Sequence, residues 1–512
     1  MNILGISAGF HDAAAAVIDR SGDILFAGHS ERYSKIKNDD NISAGLIEEI
    51  SKFDIDEIAY YERPWAKQLR RLYSGEGIQW NSLTTEQCVQ NQLGAHLTKI
   101  KNSNVFDPWH GINGVHIKSF NHHLSHAAGG FQTSPFDRAT VVVIDAIGEW
   151  DTISIWSAEY DAKGQAKYRQ LWGRKYPHSI GLFYSAMTQR VGLKPNEEEY
   201  ITMGMAAYGS MQEVNYAKAR LLREVLADSK EILFSRNLHT GIDQHWHRAF
   251  SDVGIAGAAQ AVAETLIHNV IKRAKTLGNT SNLVYTGGVA LNCVANKRLG
   301  EYFDNIWIMP SPGDSGSSLG AAALAFGRRL NWVDAYLGHD IAGPYPINDA
   351  VSALLHGDII GVANGKAEFG PRALGNRSLL ADPRGQDIKG KVNEIKRRQK
   401  FRPFAPVILE ELVHEYFDMP LGWDSSPYMQ CVARCKHPDL FPAIVHYDGT
   451  SRVQTVSKGS RSGIRELLEK WFVLTDCPML LNTSLNIRGE PMVNDREDAD
   501  RFEAEYGIRV YS

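Results

Sequence analysis

The sequence predicts two domains, an α/β domain over residues 1–345 and an α+β domain over residues 346–512. Three observations lead to this prediction. The chain has 512 residues, which is long enough for two or more domains. Short β-type runs and helical patterns follow one another through the first part of the chain. The composition becomes loop-like from Trp332 to Asn348, and loops rich in arginine follow.

The first half of the N-terminal domain begins with three short β-type runs at residues 1–9, 14–19 and 23–29, separated by turn residues. The segment NISAGLIEEISKF follows, and its apolar residues recur at helical spacing. Further β-type runs are VHIKSF, ATVVVIDAI and TISIWSAEY. Three strands, a helix, another strand and a helix is the order of half an actin/sugar-kinase-type (ASKHA) ATPase domain. Domains of this type contain two similar halves.

The second half is indicated by a helix over residues 255–276, followed by SNLVYTGGVALN, a strand that ends in a glycine turn. Gly287 and Gly288 allow the backbone to approach a ligand at a helix N-terminus, where a phosphate binds readily. A strand, IWIMP, then leads to PGDSGSSLGAAALAFG. Asp314 lies there in a Gly/Ser turn that opens an alanine-rich helix, and an ordinary glycine-rich helix cap is the alternative interpretation.

A candidate metal site comes from the segment between Asn121 and Asp145. His122 and His126 are four residues apart in a helical segment, so both imidazoles lie on one helical face. Asp145 ends the buried run ATVVVID, and a strand would deliver its carboxylate beside the histidines. With Asp314 as a fourth ligand, this set suits iron or zinc in the cleft between the two halves. The alternative is a hydrogen-bonded pair of histidines at a helix start.

The C-terminal domain carries cations in strand and loop contexts, together with Ser and Asn donors. Such residues are what a polyanion such as a nucleotide triphosphate requires. KRRQK has an alternative interpretation as a solvated helix face, whereas the apolar neighbours of one arginine in FRPFAPV predict its burial and an anionic partner. The candidate residues are Arg372, Arg377, Lys396, Arg398, Arg402, Arg452, Ser484 and Asn486.

Composition excludes some classes of protein. The net charge of −4 gives no global attraction to nucleic acid or membrane surfaces, although a local basic groove is compatible with it. No apolar run has the length of a membrane span. The N-terminus lacks the pattern of a signal peptide, and five scattered cysteines indicate reduced thiols. We therefore expect a cytoplasmic protein without a membrane partner.

The motifs together resemble those of one family over almost the whole chain. They are GISAGFHDAAAA, NHHLSHAAGGF, VVVIDAIGEW, TGGVALN, GDSGSSLGAA, EFGPRALGNRS, FRPFAP, SRVQTV and LNTSLNIRGEP. This set resembles the O-carbamoyltransferase family, which includes nodulation, cephem and aminoglycoside carbamoyltransferases. The resemblance implies a Kae1-like domain of the actin/sugar-kinase type followed by a YrdC-like domain.

The resemblance also implies a reaction in two steps. Carbamoyl phosphate and ATP with Mg²⁺ first form a carbamoyl-adenylate in the C-terminal domain, and the carbamoyl group then passes to an acceptor hydroxyl in the N-terminal domain. The metal would be iron, or zinc or manganese, held by His122, His126, Asp145 and Asp314. Arg372, Lys396, Arg452, Ser484 and Asn486 would bind carbamoyl phosphate and ATP, Arg377, Arg398 and Arg402 match motif positions, and Asn292 matches a nucleotide-contacting position.

Physical reasoning adds two candidate catalytic residues. A base must take the proton of the acceptor alcohol in the transition state. His11, in the turn GFHDA, is the candidate base, and a turn histidine bonded to Asp12 is the alternative. Lys37 is a candidate for holding the acceptor oxygen or a phosphate. Gln399 departs from the family pattern, because a glutamate is expected at that position.

Two other functions fit parts of the sequence. A tRNA-modification enzyme of the threonylcarbamoyl type would use both folds, and it would show threonine-dependent pyrophosphate exchange. A sugar kinase or plain ATPase would use the first fold alone, and it would leave the arginine-rich domain without a purpose. A homodimer is compatible with either function.

A prediction of the acceptor comes from the segment between Arg63 and Trp109, which we expect to be an irregular insertion at the border of the N-terminal cleft. It interleaves cations with aromatic residues, which suits phosphates and stacked bases. This pattern makes a nucleotide or 5-hydroxymethylcytosine in DNA a candidate acceptor, reached by base flipping or in single strands. The alternative is that these residues cover the surface and that the acceptor is a small natural-product alcohol or sugar.

Overall fold

The computed structural model describes residues 2–94 and 115–512, and its N-terminal domain contains two mixed sheets of five strands each. Elements are numbered in chain order over these described residues. The first sheet comprises β1 (Ile3–Ser7), β2 (Ala14–Ile18), β3 (Ile24–His29), β4 (Glu57–Tyr60) and β5 (His116–Ser119). The second comprises β6 (Arg138–Ile144), β7 (Asp151–Tyr160), β8 (Ala166–Lys175), β11 (Asn282–Thr286) and β12 (Asn305–Trp307).

The two sheets have the same topology. In the first, the strand order is β3-β2-β1-β4-β5, and the second has the matching order β8-β7-β6-β11-β12. Each sheet begins with three antiparallel strands, and each then adds two strands parallel to the first strand of that meander. The predicted division of the domain into two similar halves is therefore confirmed by strand pairing.

The helices of the N-terminal domain cover these sheets. They are α1 (Glu31–Ser34), α2 (Ala44–Ile50), α3 (Pro64–Tyr73), α4 (Thr85–Leu93), α5 (His122–Gln132), α6 (Ile180–Arg190), α7 (Glu199–Met205), α8 (Met211–Val225), α9 (Asp252–Gly278), α10 (Cys293–Asn296) and α11 (Gly316–Phe326). Short strands β9 (Leu226–Asp228) and β10 (Leu233–Phe234) form a separate hairpin. The predicted helix at residues 255–276 corresponds to α9.

Helices α5 and α11 cross at very short distance between the two sheets. A Cβ atom on Gly320 would lie 1.9 Å from the Ser125 carbonyl oxygen, and one on Gly129 would lie 3.3 Å from the Gly316 carbonyl oxygen. Only glycine permits such an approach of two helix backbones at Gly320. Gly320, the last glycine of GDSGSSLG, therefore serves helix packing, and the crossing brings the N-terminal ends of α5 and α11 together.

The segment that begins at Arg63 contains two α-helices, so the expectation of an irregular insertion is wrong for Pro64–Tyr73 and Thr85–Leu93. Helix α3 begins with a proline at its first turn. Helix α4 begins with a capping box between Thr84 and Gln87. The remainder of the predicted insertion, from residue 95 to Trp109, lies outside the described residues.

The C-terminal part of the chain forms a mixed six-stranded sheet in the order β21-β17-β22-β16-β14-β23. Its strands are β14 (Ile360–Ala363), β16 (Arg377–Ala381), β17 (Ala405–Leu409), β21 (Gln454–Val456), β22 (Met479–Ser484) and β23 (Val510–Tyr511). Smaller pairings involve β13 (Tyr336–Ile341), β15 (Gly365–Glu368), β18 (Phe417–Asp418), β19 (Ala433–Cys435) and β20 (Thr450–Ser451). The helices are α12 (Ile347–Leu355), α13 (Ile388–Ile395), α14 (Val413–Tyr416), α15 (Ile464–Thr475) and α16 (Arg496–Tyr506).

Among the described helices, none is both long enough and apolar enough to cross a membrane.

Candidate active centre with two charged clusters

The first cluster joins His122, His126, Asp145 and Asp314, and all four side chains are buried. Both histidines project from the first turns of α5, Asp145 follows β6 directly, and Asp314 lies two residues before α11. The sequence places these residues at element ends, and the crossing of α5 with α11 brings the ends together. Their four candidate ligand atoms lie within 4.8 Å of one another.

The distances within this cluster fit a metal ion. The two Nε2 atoms of His122 and His126 are 3.1 Å apart. Asp314 Oδ1 is 3.3 Å from His122 Nε2 and 3.1 Å from His126 Nε2, and Asp145 Oδ2 is 3.4 Å from His122 Nε2. Ligand bonds of about 2.0–2.2 Å in tetrahedral geometry place neighbouring ligand atoms about 3.3–3.5 Å apart. The residues therefore fit a divalent cation without a change of fold.

The electrostatics of the cluster favour a cation as well. Burial raises the pKa of Asp314, but the charges and hydrogen bonds of His122 and His126 outweigh burial and hold that pKa well below its usual range. Asp145 also has a lowered pKa. Asp145 Oδ1 accepts a hydrogen bond from the Gly288 amide at 3.1 Å, which orients the carboxylate. Two ionised carboxylates and two imidazoles form a ligand set of the borderline type.

The glycine turn after β11 serves this carboxylate. Gly287 has φ of +90°, and a Cβ atom there would lie 2.3 Å from the Ile144 carbonyl oxygen. The Gly287 amide donates to the Pro312 carbonyl oxygen, and the Gly288 amide donates to Asp145. Both amides are therefore engaged by protein atoms, so in this structure the turn orients a ligand of the first cluster and offers neither amide to a phosphate.

The two candidate catalytic residues are both paired with carboxylates. His11 Nδ1 is 3.2 Å from Asp12 Oδ2. Burial lowers the pKa of His11, but the Asp12 hydrogen bond and the charges of Asp314, Asp12 and Asp145 raise it to about 9. Lys37 Nζ donates to both carboxylate oxygens of Glu31, at 2.7 and 2.8 Å. The base and oxygen-holding roles stay predictions for these side chains.

The second cluster gathers Arg372, Arg398, Arg402, Arg452 and Lys396. In the described part of the chain, none of these cations forms an ion pair with a carboxylate. Burial and the charge of Arg452 lower the pKa of Arg372 to about 9, and burial with the charges of Arg402 and Arg452 lowers that of Arg398 to about 8. Lys396 is buried and the four arginines are half-buried, so like charges gathered here without counterions favour an anion as ligand.

Lys396 fixes the predicted Ser and Asn donors. Its Nζ donates to the carbonyl oxygens of Ser484 and Asn486 at 2.5 and 2.8 Å. It also reaches Ser484 Oγ at 3.2 Å and Asn486 Oδ1 at 2.9 Å. All four acceptors are neutral, so the ammonium charge is solvated but not neutralised. The structure therefore brings together every predicted C-terminal residue except Arg377.

Arg377 and Asn292 lie in structural positions. Arg377 is fully buried, and its guanidinium donates to the carbonyl oxygens of five residues at 2.8–3.1 Å. No N–H remains for a phosphate, so the predicted binding role is wrong for this arrangement. Asn292 caps α10 through the Ala295 amide and exchanges hydrogen bonds with Gln260, so its amide group is engaged by protein atoms.

The N-terminal domain contributes residues to the second cluster that sequence reasoning missed. The Arg402 guanidinium lies 4.8 Å from the centre of the Tyr200 ring. Glu198 accepts a hydrogen bond from Arg488 at 2.8 Å, and Tyr208 donates to the Phe401 carbonyl oxygen at 3.0 Å. The motif EEEYITMGMAAYG carries two of these tyrosines, but no spacing rule connects it with arginines about 200 residues away.

The cations of α3 are paired with carboxylates. Arg63 binds Glu149, and Lys67 binds Glu62. Arg70 and Arg71 both contact Glu76. These pairs remove the observation that favoured phosphates at this surface, although Trp65, Leu69, Leu72, Tyr73 and Trp80 are exposed.

Solved structures with a remote likeness are nucleotide-dependent activators and sugar kinases. The activator of 2-hydroxyisocaproyl-CoA dehydratase from Clostridium difficile has a TM-score of 0.31 and 15% identity, covering 64% of this chain and 94% of its own. A ROK family glucokinase from Streptomyces griseus has a TM-score of 0.30 and 11% identity, covering 63% and 99%. Likeness at these scores is too low to establish a shared fold. The two matching halves of the N-terminal domain are established by its own strand pairing.

Relatives at higher identity span about three quarters of the chain or more. An uncharacterized protein of Synechocystis is 33% identical, covering 98% of this chain and 94% of its own. Nodulation protein NolO of Bradyrhizobium diazoefficiens is 31% identical, covering 74% and 75%. Nodulation protein U of Sinorhizobium fredii is 28% identical, covering 96% and 94%.

Family models match both parts of the chain. The model described as the carbamoyltransferase N-terminus matches residues 2–323, and the one described as the carbamoyltransferase C-terminus matches residues 351–511. The first alone covers more than half of the 512 residues. The chain therefore belongs to the carbamoyltransferase family and is a carbamoyltransferase enzyme.

Proposed function

We propose that this enzyme is an ATP-dependent O-carbamoyltransferase that forms carbamoyl-adenylate at the second cluster and transfers the carbamoyl group at the first cluster. One observation carries the proposal. The chain holds two sites of complementary chemistry. The second cluster gathers five cations without carboxylate partners, and the first is a buried His₂Asp₂ set suited to a cation. A polyanionic donor matches the five cations of the second cluster. A polarised carbonyl group matches a cation held by the first cluster.

The donor step has two stages. Carbamoyl phosphate and water give carbamate and phosphate, and a carbamate oxygen then attacks the α-phosphorus of ATP. The bond from that phosphorus to the β-phosphate bridging oxygen breaks, and pyrophosphate leaves. Arg372, Arg398, Arg402 and Arg452 are proposed to hold the phosphate oxygens, with Lys396 beside them. The YrdC-like assignment of this domain stays part of the proposal.

In the transfer step, the acceptor oxygen forms a bond to the carbamoyl carbon. The bond from that carbon to the adenylate oxygen breaks, and AMP leaves. A metal ion held by His122, His126, Asp145 and Asp314 would supply Lewis-acid polarisation. His11 is the proposed base, and the pairing with Asp12 holds its ring in place. Because the protonated ring cannot act as a base, neutralisation of the cluster carboxylates by a cation would favour the active form.

The acceptor is proposed to be a small natural-product alcohol or sugar. The paired cations of α3 support this choice over a nucleotide or 5-hydroxymethylcytosine in DNA, because phosphate binding requires free cations. Exposed aromatic side chains on α3 also suit a sugar or apolar ring. A hydroxymethylated DNA acceptor would instead show affinity that falls steeply as salt rises.

The test separates the donor step from the transfer step. Pyrophosphate release from ATP is measured with and without carbamoyl phosphate, and hydroxylated acceptors are examined by mass spectrometry for a gain of one carbamoyl group. We expect release that depends on carbamoyl phosphate and is lost in Arg372→Ala. Arg434→Ala, an exposed arginine of β19, is the matched control and should keep full release.

Three outcomes would contradict parts of the proposal. Release that depends on threonine and bicarbonate would indicate the threonylcarbamoyl type of tRNA modification. Transfer of the γ-phosphate of ATP to an acceptor without carbamoyl phosphate would indicate a sugar kinase. Full pyrophosphate release in Arg372→Ala would exclude the second cluster as the donor site.

A further inference from the structure

Two buried glutamates lie behind the first turn of α5. Glu149 is 2% exposed, and it accepts hydrogen bonds from the Asn121 side chain at 3.0 Å and from the His122 amide at 3.3 Å. Glu62 is 4% exposed, and its Oε2 lies 3.7 Å from His122 Nδ1. One carboxylate therefore fixes the helix end, and the other faces the ring of a candidate metal ligand.

Each glutamate is paired with a cation from α3. Arg63 Nε lies 3.0 and 3.1 Å from the two carboxylate oxygens of Glu149. Lys67 Nζ donates to Glu62 Oε1 at 2.7 Å, and the lysine side chain is only 13% exposed. Arg63 is the N-cap residue of α3 and Lys67 lies in the N-terminal part of that helix, so both cations stand at its N-terminal end. This arrangement fixes Glu62 by a buried charge pair while its second oxygen points at His122.

The two ring nitrogens of His122 face different groups. Its Nε2 faces the other three ligand atoms of the cluster. A neutral imidazole that binds a metal through Nε2 carries its proton on Nδ1. In the described part of the chain, the buried Nδ1 atoms of both His122 and His126 have no hydrogen-bond partner, but only that of His122 has a carboxylate within 4.0 Å.

Glu62 is too poorly placed to be a metal ligand itself. Its nearest oxygen approaches His122 from the Nδ1 side, which is the side of the ring opposite to the cluster. A carboxylate in that position acts on the metal through the histidine, because it fixes the ring orientation and makes the ligand nitrogen more basic. The 3.7 Å separation exceeds the usual hydrogen-bond range by about 0.5 Å.

We infer that Glu62 is a positioning residue for the metal centre, which accepts the Nδ1–H of His122 when a metal is bound, and that Lys67 holds Glu62 for this purpose. This inference rests on the proposed function, because it takes the first cluster as a metal site. It adds two residues to the site that belong to no recognised motif of the sequence. It also connects α3 to the metal-binding helix.

The test measures metal affinity directly. The full-length metal-free protein is titrated with Zn²⁺ against a chelator, and Co²⁺ absorption reports the ligand geometry. We expect Glu62→Gln to raise the Zn²⁺ dissociation constant by about 10- to 100-fold and to change the Co²⁺ spectrum. Lys67→Met, which keeps the carboxylate, should give a smaller change in the same direction. Pyrophosphate release at the second cluster should stay at the wild-type rate in both variants.

The matched control is Glu57→Gln. Glu57 is also a buried glutamate at 8% exposure, and it pairs with Lys118 at 2.7 Å in the same sheet. It should leave the Zn²⁺ affinity unchanged. Wild-type affinity in Glu62→Gln, or an equal loss in Glu57→Gln, would overturn the inference while leaving the metal site standing. A wild-type protein that binds no Zn²⁺, Co²⁺ or Fe²⁺ would overturn the metal site and this inference together. If Glu62→Gln fails to fold, wild-type affinity in Lys67→Met overturns the role of Lys67.

Discussion

Arg372 and Arg377 stand five residues apart, the first in a loop and the second at the start of strand β16, and we predict opposite consequences for their loss. Arg377→Met should destabilise the protein strongly. Arg372→Met should leave the stability nearly unchanged or slightly higher, and it should abolish the donor step. The difference follows from the partners of the two guanidinium groups, since Arg377 has carbonyl oxygens on every side and Arg372 lies among other cations.

The magnitude follows from the hydrogen bonds of Arg377. It donates to the carbonyl oxygens of five residues, His339, Asn364, Gly365, Asn376 and Asn494. A bond from a charged donor contributes about 1.5–3 kcal/mol, and each buried carbonyl left without a donor costs about 1–3 kcal/mol. Even with relaxation and water entry, we expect a loss of at least about 4 kcal/mol in the free energy of unfolding. Losses of that size are exceptional for single substitutions.

The assay combines urea unfolding with pyrophosphate release that depends on carbamoyl phosphate. Arg377→Met should unfold at much lower urea concentration, whereas Arg372→Met should retain the wild-type midpoint and lose release. Removal of one buried cation relieves repulsion, so a small rise in the Arg372→Met midpoint is the expected direction. The reasoning fails if Arg377→Met unfolds at the wild-type midpoint, or if Arg372→Met is destabilised to the same extent.

Three further predictions concern other parts of the chain. His126→Ala should remove the stoichiometric metal, measured by elemental analysis, and should stop carbamoyl transfer while pyrophosphate release continues; chelation of the wild-type protein should have the same two effects. Gly370→Ala should lower the unfolding temperature by several degrees more than Gly357→Ala, because a Cβ atom on Gly370 would lie 2.6 Å from the Pro310 carbonyl oxygen, whereas Gly357 shares a positive φ in open space. Glu411 has its pKa lowered from 4.5 to about 2, chiefly by the Arg465 hydrogen bond, so its stabilisation is present above pH 4.5 and is lost as the pH falls through 2. Because Glu411 is 39% exposed, the effect is at most about 1 kcal/mol, and urea unfolding of Glu411→Gln should approach the wild-type values as the pH falls from 6 to 3.

The fold of the N-terminal domain and the four residues of its first cluster could be predicted because both depend on local patterns. Asp145 follows an unbroken apolar strand, and His122 and His126 share a helical face, so the sequence predicts the ends at which they lie. The crossing of α5 with α11 could not be read in the same way. Its glycines, such as Gly320, fit a helix cap equally well until the opposing backbone is known.

The positions of the cations could be predicted from the sequence, but their availability to a ligand could not. Residue type and spacing predicted buried arginines in the C-terminal domain, and five cations do gather without carboxylates. The same reasoning gave Arg377 a ligand-binding role and the segment from Arg63 a phosphate-binding role, and in both places the structure pairs the cations with protein acceptors. Whether a buried cation is free depends on acceptors distant in the chain, such as the carbonyl of Asn494 for Arg377 or the carboxylate of Glu149 for Arg63.

This dependence on distant acceptors also explains how the chain separates its two kinds of arginine. Arg377 begins the central strand β16, where backbone carbonyls from three chain segments converge. Its guanidinium donates hydrogen bonds to these carbonyls and holds the segments together. Arg372 lies in the preceding loop, where no carbonyl or carboxylate reaches it in the described structure, so its charge stays available. The strand start is thus anchored by Arg377, and the loop before it presents Arg372 to a ligand. Preorganised anion binding requires an unpaired cation that a rigid anchor holds in place. The cations of the second cluster repel one another until the bound donor neutralises them.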